Sequence, residues 1–325
     1  MKKFASLALF CSLFPLSGMA GTVNFVPEGI LKFDLKTSNS NYSKVYRHRN
    51  LEDDLLSQKL RRYGIEDTEV TGDLAEAETI TNFSFSYGLS DTWNLQYTGS
   101  QVEKARTSNL TLASGASDAA TSFVEEYQSQ SVSGLGDSQL MLGWRYSYTD
   151  KFDFRWNWTY IHDDGASSYD DVAHYNVGTG NKGVLMELLM DYYPLEGGQV
   201  FQTSFWVADT EHKSLADENG DLQELRLGQS LGYNAHWLAL EGNVFWGAGI
   251  EATQQTASKF GDIAFYNEGN KMDFIVRLGY GNMKQLEGDN VPALPWEAEF
   301  DYVETILGIN ANLLKGYRAS FSLYF

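Results

Sequence analysis

The chain has 325 residues, 43% hydrophobic and 14% aromatic, with 24 basic and 43 acidic side chains giving a formal net charge of −19. That balance argues against nucleic acid as a partner, because phosphate binding relies on basic clusters. Nothing after residue 20 approaches the roughly 18 consecutive apolar residues of a spanning helix, so the spanning option left is a closed barrel, in which every backbone group pairs between strands.

The first 20 residues read as an export signal. Lys2 and Lys3 precede an apolar stretch from Phe4 to Leu16, and Gly18-Met19-Ala20 offers a small-x-small cleavage site. The one cysteine, Cys11, lies inside that segment behind the bulky Phe10, so neither a disulfide nor lipid attachment is expected after cleavage. Residues 21–325 are expected to form a single domain.

From about residue 29 a period-two pattern recurs. A first strand at 29–37 leads to a loop at 38–75. In that loop Asn50 is a candidate N-cap, Glu52, Asp53 and Asp54 sit in the first turn, Lys59, Arg61 and Arg62 in the last, and Gly64 ends a short helix. Leu51, Leu55 and Leu56 give it an apolar stripe. It is expected either to narrow the mouth of a barrel or to decorate the loop surface.

Phe83, Phe85 and Tyr87 then share a face, and across Ser90-Asp91 come Trp93, Leu95 and Tyr97. Leu140, Leu142, Trp144, Tyr146 and Tyr148 are followed, across Thr149-Asp150-Lys151, by Phe152, Phe154, Trp156, Trp158 and Tyr160. So continuous an aromatic face suits strands of roughly 9–11 residues that meet lipid. Further hairpins are expected at 183–193 with 199–209, and at 221–233 with 236–250 turning near Asn234, before strands at 270–281, 298–310 and 315–325. The count is twelve, with ten or fourteen as alternatives because the alternation blurs from Val303 to Leu314. The expected fold is therefore all-β: an antiparallel transmembrane β-barrel of about 12 strands with a short helix in its first extracellular loop.

Short connections at 89–91, 149–151, 195–198 and 234–235 alternate with long ones at 38–75, 105–134, 163–180, 211–220 and 251–269, the arrangement of an outer-membrane barrel. The 282–297 connection, with Pro292 and Pro295, is long on the short-turn side. The last strand alternates Tyr317, Ala319, Phe321, Leu323 and Phe325 against polar residues, and Phe325 is expected to belong to the signal that barrel-assembly machinery reads.

The face opposite the aromatics is charged in both signs. Candidates for a pore lining are Arg145, Asp153, Arg155, Glu187, Asp191, Glu224, Arg226, Glu241, Asp273, Arg277 and Arg318. On the lipid side each would cost about 2–4 kcal/mol near the midplane, so their phase fixes the inside. The functional expectation is a water-filled pore for small solutes; the alternative is a plug of paired side chains. No long N-terminal segment precedes the first strand to act as a plug.

Other chemistry is weaker. His162-Asp163-Asp164, Asp209 and His212 lie at strand ends where a rim hydrolase would place groups, but the spacing does not match an Asp-x-His pairing. His174 lacks a nearby serine, and no Gly-x-Ser-x-Gly is present. Asp217, Asn219 and Asp221 alternate like calcium-loop ligands, but Leu222 stands where glycine is required. Asp163-Asp164 and Asp170-Asp171 could share divalent cations with lipopolysaccharide. No cofactor, metal or enzymatic activity is expected; a surface adhesin is the other alternative.

The stretch GLGDSQLMLGWRY, Gly134 to Tyr146, resembles the Gly-Leu-Gly-Asp signature of outer-membrane proteins encoded with meta-pathway phenol degradation genes, and YGLSDTWNLQY, Tyr87 to Tyr97, resembles that family's preceding hairpin. The resemblance implies a barrel related to hydrophobic-compound uptake channels. Two departures separate the cargo: fatty-acid-transporting relatives carry an N-terminal plug domain, and a charged interior is a poor conduit for apolar molecules.

Overall fold

The computed structural model describes residues 25–47, 51–164, 182–194, 198–211, 213–216, 222–226, 228–260, 263–266, 268–282 and 295–325. The export segment 1–20, Asn50, Asp170, Asp171, His174, His212, Asp217, Asn219, Asp221 and Pro292 lie outside them.

Twelve strands close one antiparallel barrel. In chain order they are β1 (Leu31–Tyr42), β2 (Val70–Ser90), β3 (Trp93–Leu112), β4 (Gln139–Tyr148), β5 (Phe152–Ile161), β6 (Gly183–Tyr192), β7 (Gln199–Thr210), β8 (Ser230–Glu241), β9 (Val244–Gln255), β10 (Gly269–Gly281), β11 (Trp296–Ile309) and β12 (Lys315–Tyr324). Each pairs with the next, and β12 closes on β1 through Phe33 opposite Leu323. A strand at Gln130–Leu135 runs ahead of β4 and pairs with the upper half of β3. Closure leaves no free sheet edge, which is what an apolar surrounding demands.

The side-chain period of two divides each strand. On β4, Leu140, Leu142, Trp144, Tyr146 and Tyr148 are exposed while Arg145 is half-buried; on β10, Phe274, Val276, Leu278 and Tyr280 are exposed while Asp273, Ile275 and Arg277 are buried. The exposed face is the aromatic one. Burial thus orients the aromatics outward and the charges inward.

One expected hairpin is displaced. β8 runs through Asn234, which lies opposite Glu251 and donates to Ser204 Oγ at 3.1 Å, and the turn falls at Gly242-Asn243 instead. Asparagine favours turns, but here its amide finds partners on the inner wall. Glu224 and Arg226 consequently leave the barrel wall for a separate four-stranded sheet formed by 213–216, 222–226, 258–260 and 263–266. Glu241, expected inside, takes the outward phase at the turn and is exposed.

The blurred alternation near 303–314 also has a local cause. Register shifts between Met272 and Asp273 leave Ile306 as an extra residue on β11, so Ile306 and Leu307 are both exposed. Gly281, from which the long 282–297 connection departs, lies at the short-turn end, where its N–H donates to the Asn243 carbonyl at 2.9 Å and it pairs with Glu297.

The first loop holds α1 (Leu55–Tyr63), which starts after Asp54 and not at Asn50. Glu52–Asp54 is instead a short strand paired with Lys44–Tyr46. Gly64 caps the helix at φ 68, as its position in the sequence suggests. A second helix, α2 (Asp118–Glu126), begins where the Ser117 side chain accepts from the Ala120 N–H at 3.2 Å. Leu55, Leu56 and Leu60 of α1 pack with Phe123, Tyr127, Val70 and Leu74. Both helices therefore lie against the inward side of the β2 and β3 extensions.

Candidate functional site: the barrel interior

Five strands carry the expected charges inward, and the structure joins them into pairs. Arg145 donates to Asp153 at 3.0 Å, and Arg155 donates to Asp191 at 2.6 Å while lying 3.8 Å from Asp153. Asn157 donates to Glu187 at 3.2 Å. Facing strands place them: Asp153 is opposite Asp191 and Asn157 opposite Glu187. Two carboxylates side by side are tolerable because the arginine lies between them.

A second network occupies β9 to β12. Arg277 forks onto Asp301 with two bonds of 2.9 Å and lies 3.4 Å from Glu299. Arg318 forks onto Glu251 with two bonds of 2.8 Å, reaching past β10 and β11 to do so. Asp273 accepts from Thr305 at 2.6 Å and pairs with Lys271 at 2.7 Å. His236 is buried with its Nε2 3.9 Å from Glu251.

The mouth holds a third. Glu76 accepts from Tyr42 at 2.6 Å and lies 3.5 Å from Arg106 and 3.9 Å from Lys59 of α1. Arg106 stacks on the Tyr127 ring at 4.3 Å, tying α2 to the same carboxylate. Burial pulls the Lys59 amine down to about 8 against the attraction of Glu76.

Lys32, Asp34, Lys36, Glu76, Lys104, Arg106, His236, Glu251, Glu297, Glu299 and Asp301 all take the inward phase and were not among the expected candidates. Glu297, Glu299 and Asp301 had a plain signal, the alternation Trp296-Glu297-Ala298-Glu299-Phe300-Asp301-Tyr302. Glu251 had none, since it falls where the sequence reads as the start of a loop.

The chain entering β1 also turns inward. Gly29, at φ 76, donates to the Gly88 carbonyl at 2.9 Å, and Phe25 is buried with the Arg145 guanidinium 4.2 Å above its ring. Residues 25–29 thus fold against the inner wall at the short-turn end.

At the rim, His162 is exposed and lies 3.9 Å from both Asp163 and Asp164. Asp164 accepts from the Ser138 N–H and hydroxyl, each at 2.7 Å. Burial works upward on that carboxyl, but the Ser138 bonds outweigh it and hold the group below its ordinary value. The acid stands between serine and histidine, whereas activating a nucleophile needs the histidine between. Asp209 is exposed at the end of β7 and accepts from the Thr210 N–H at 3.0 Å. Among the described residues no group of three or more His, Cys, Asp or Glu side chains is placed to hold a metal ion.

No family model matches the chain, and no curated protein matches it. Among solved structures it is similar to an outer-membrane channel from Pseudomonas putida F1, with a TM-score of 0.64 at 12% identity over 92% of this chain and 96% of that one. Looser overlaps include the β domain of a Bordetella autotransporter, with a TM-score of 0.46 at 11% identity over 91% and 99% of the two chains. A mutant monoaromatic hydrocarbon channel overlaps with a TM-score of 0.45 at 11% identity over 92% and 91%. What the chain shares with the Pseudomonas channel is its fold, a closed antiparallel transmembrane β-barrel.

Proposed function

We propose that this chain is an outer-membrane channel for the passage of small solutes through the barrel interior, exported by way of its first 20 residues. The observation that carries the reading is the division of the wall: an apolar aromatic exterior encloses an interior lined by ion pairs, serines, threonines and amides. Arg145 and Arg318 stand at the passage. Asp153, Arg155, Glu187, Asp191, Asp273 and Arg277, buried on the same inner wall, brace it. Likeness to the Pseudomonas channel supports this as an analogy of fold.

Water and polar or charged solutes suit such an interior better than apolar hydrocarbons, so the cargo implied by a meta-pathway setting extends to the hydroxylated or ionised members of that class. The exterior is suited to lipid and lipopolysaccharide. Phe325, exposed and backbone-paired with Leu31, offers the closing strand to assembly machinery. Single-channel recording of the refolded protein in a planar bilayer tests the reading. Discrete current steps that scale with salt support it; a folded but silent barrel overturns it.

A further inference from the structure

The interior is not evenly packed. Along β5 to β11 most inward side chains are sealed: Asp301 is 0% exposed, Asp191 1% and Arg277 1%. Along β12, β1, β2, β3 and β4 many are only half-buried, among them Ser320, Ser38, Gln96 and Thr98. The room inside this barrel is on that second arc, and it does not extend to the short-turn end. On β3, Thr98 and Gln96 are half-buried, but Asn94, one inward position nearer the turn, is 4% exposed. On β2 the half-buried Asn82 gives way to Ser84 and Ser86, and on β12 Ser320 gives way to Ser322 and Tyr324, all four of them buried.

Residues 25–29 cross the same arc at that end. Glu28 bridges to Gly88 of β2, the Gly29 N–H donates to the Gly88 carbonyl at 2.9 Å, and the Gly88 N–H donates to the Ile30 carbonyl at 3.1 Å. A Cβ on Gly88 would run into the Pro27 carbonyl, so the segment lies this close only because the wall offers a glycine there. Pro27 and Glu28 are exposed, whereas Val26 and Phe25 are buried, at 3% and 4% exposure. Phe25 reaches β4, where the Arg145 guanidinium stacks 4.2 Å from its ring. Two apolar side chains thus stand where a polar path loses its contact with water. An apolar neck resists ions as well as bulk, because it offers a hydrated solute nothing in exchange for its water.

We propose that Phe25 and Val26 form the constriction of the passage at the short-turn end, and that Phe25, held under Arg145, sets how large a solute passes. The proposal rests on the channel reading and goes beyond it by naming the residues that limit passage. Gly88 is the positioning residue: it lets the segment lie flat on the wall, which carries Phe25 into the lumen and not away from it.

The test is the unitary current of the refolded protein in potassium chloride. Swelling of proteoliposomes in neutral sugars of increasing size, arabinose to raffinose, is the second readout. Phe25→Ala is expected to raise the current several-fold and to admit a larger sugar, and Phe25→Trp to lower both. Gly88→Ala, which pushes the segment off the wall, is expected to act like Phe25→Ala. A current and a size limit indifferent to both Phe25 variants overturn the constriction. A folded barrel silent in the unaltered protein and in every variant fails earlier, on the channel reading itself. Phe25 lies outside the barrel wall, so its variants keep the test decisive if Gly88→Ala does not fold.

Discussion

Arg318 on β12 and Glu251 on β9 meet through two bonds of 2.8 Å although two strands stand between them. The bridge is a strut across one side of the barrel, closing off the space in front of β10 and β11 where Arg277, Glu299 and Asp301 are packed. A forked guanidinium–carboxylate pair fixes direction as well as distance, so it holds a span that a lysine would leave loose.

Removing the carboxylate end of the strut leaves the half-buried Arg318 guanidinium without its partner. Glu251→Gln is expected to cost about 1–3 kcal/mol, the scale of leaving a hydrogen-bonding group without its partner. Adding Arg318→Gln should restore part of that loss, because the stranded charge goes too. Urea unfolding in detergent for the two single variants and the double variant reads the coupling.

The Trp206 indole, 1% exposed on β7, lies flat over Gly232 of β8; a Cβ built there would stand 2.2 Å from the ring. Gly232→Ala is therefore expected to push the indole out of its place, costing about 1–3 kcal/mol as overpacking does. The check is the temperature at which the heat-modifiable band shift of the folded barrel is lost on a gel. An unchanged temperature would mean that the indole has another place to go.

Lys59 supplies a pH dependence. Its amine titrates near 8 in the folded protein and at its ordinary value of 10.5 in the unfolded chain, because burial disfavours the charge. Between those values the unfolded chain binds the extra proton, so stability should rise with pH from about 8 to 10.5, by at most about 1.4 kcal/mol per unit. Lys59→Met should flatten that rise. Unfolding of both proteins measured across the window checks the sign: a slope that survives in Lys59→Met would assign it to another group.

The barrel was legible because lipid imposes the period-two aromatic pattern directly on the sequence, from Phe83 through Tyr160 and again from Tyr317 to Phe325. The strand count came out at twelve even though one hairpin was misplaced, since moving a turn from Asn234 to Gly242-Asn243 shifts strands without removing any. The misplaced turn put Glu224, Arg226 and Glu241 inside, where none of them lies. An amide that bonds within a wall and one that ends a strand look alike in sequence. Strand phase identified the remaining inward charges, but nothing in a linear pattern says which of them become sealed. That depends on side chains from non-neighbouring strands, such as Glu251 and Arg318, and on the inward turn of residues 25–29.

The most direct measurement is block of the single-channel current by a negatively charged thiol reagent at engineered cysteines, in a background whose only native cysteine, Cys11, is replaced. Gln96→Cys stands on the half-buried arc, and Ser204→Cys on the sealed one, where the native side chain is 2% exposed. The account predicts that the reagent cuts the unitary current of Gln96→Cys and leaves that of Ser204→Cys unchanged. Block at Ser204→Cys with none at Gln96→Cys would place the passage on the other side of the barrel and contradict it.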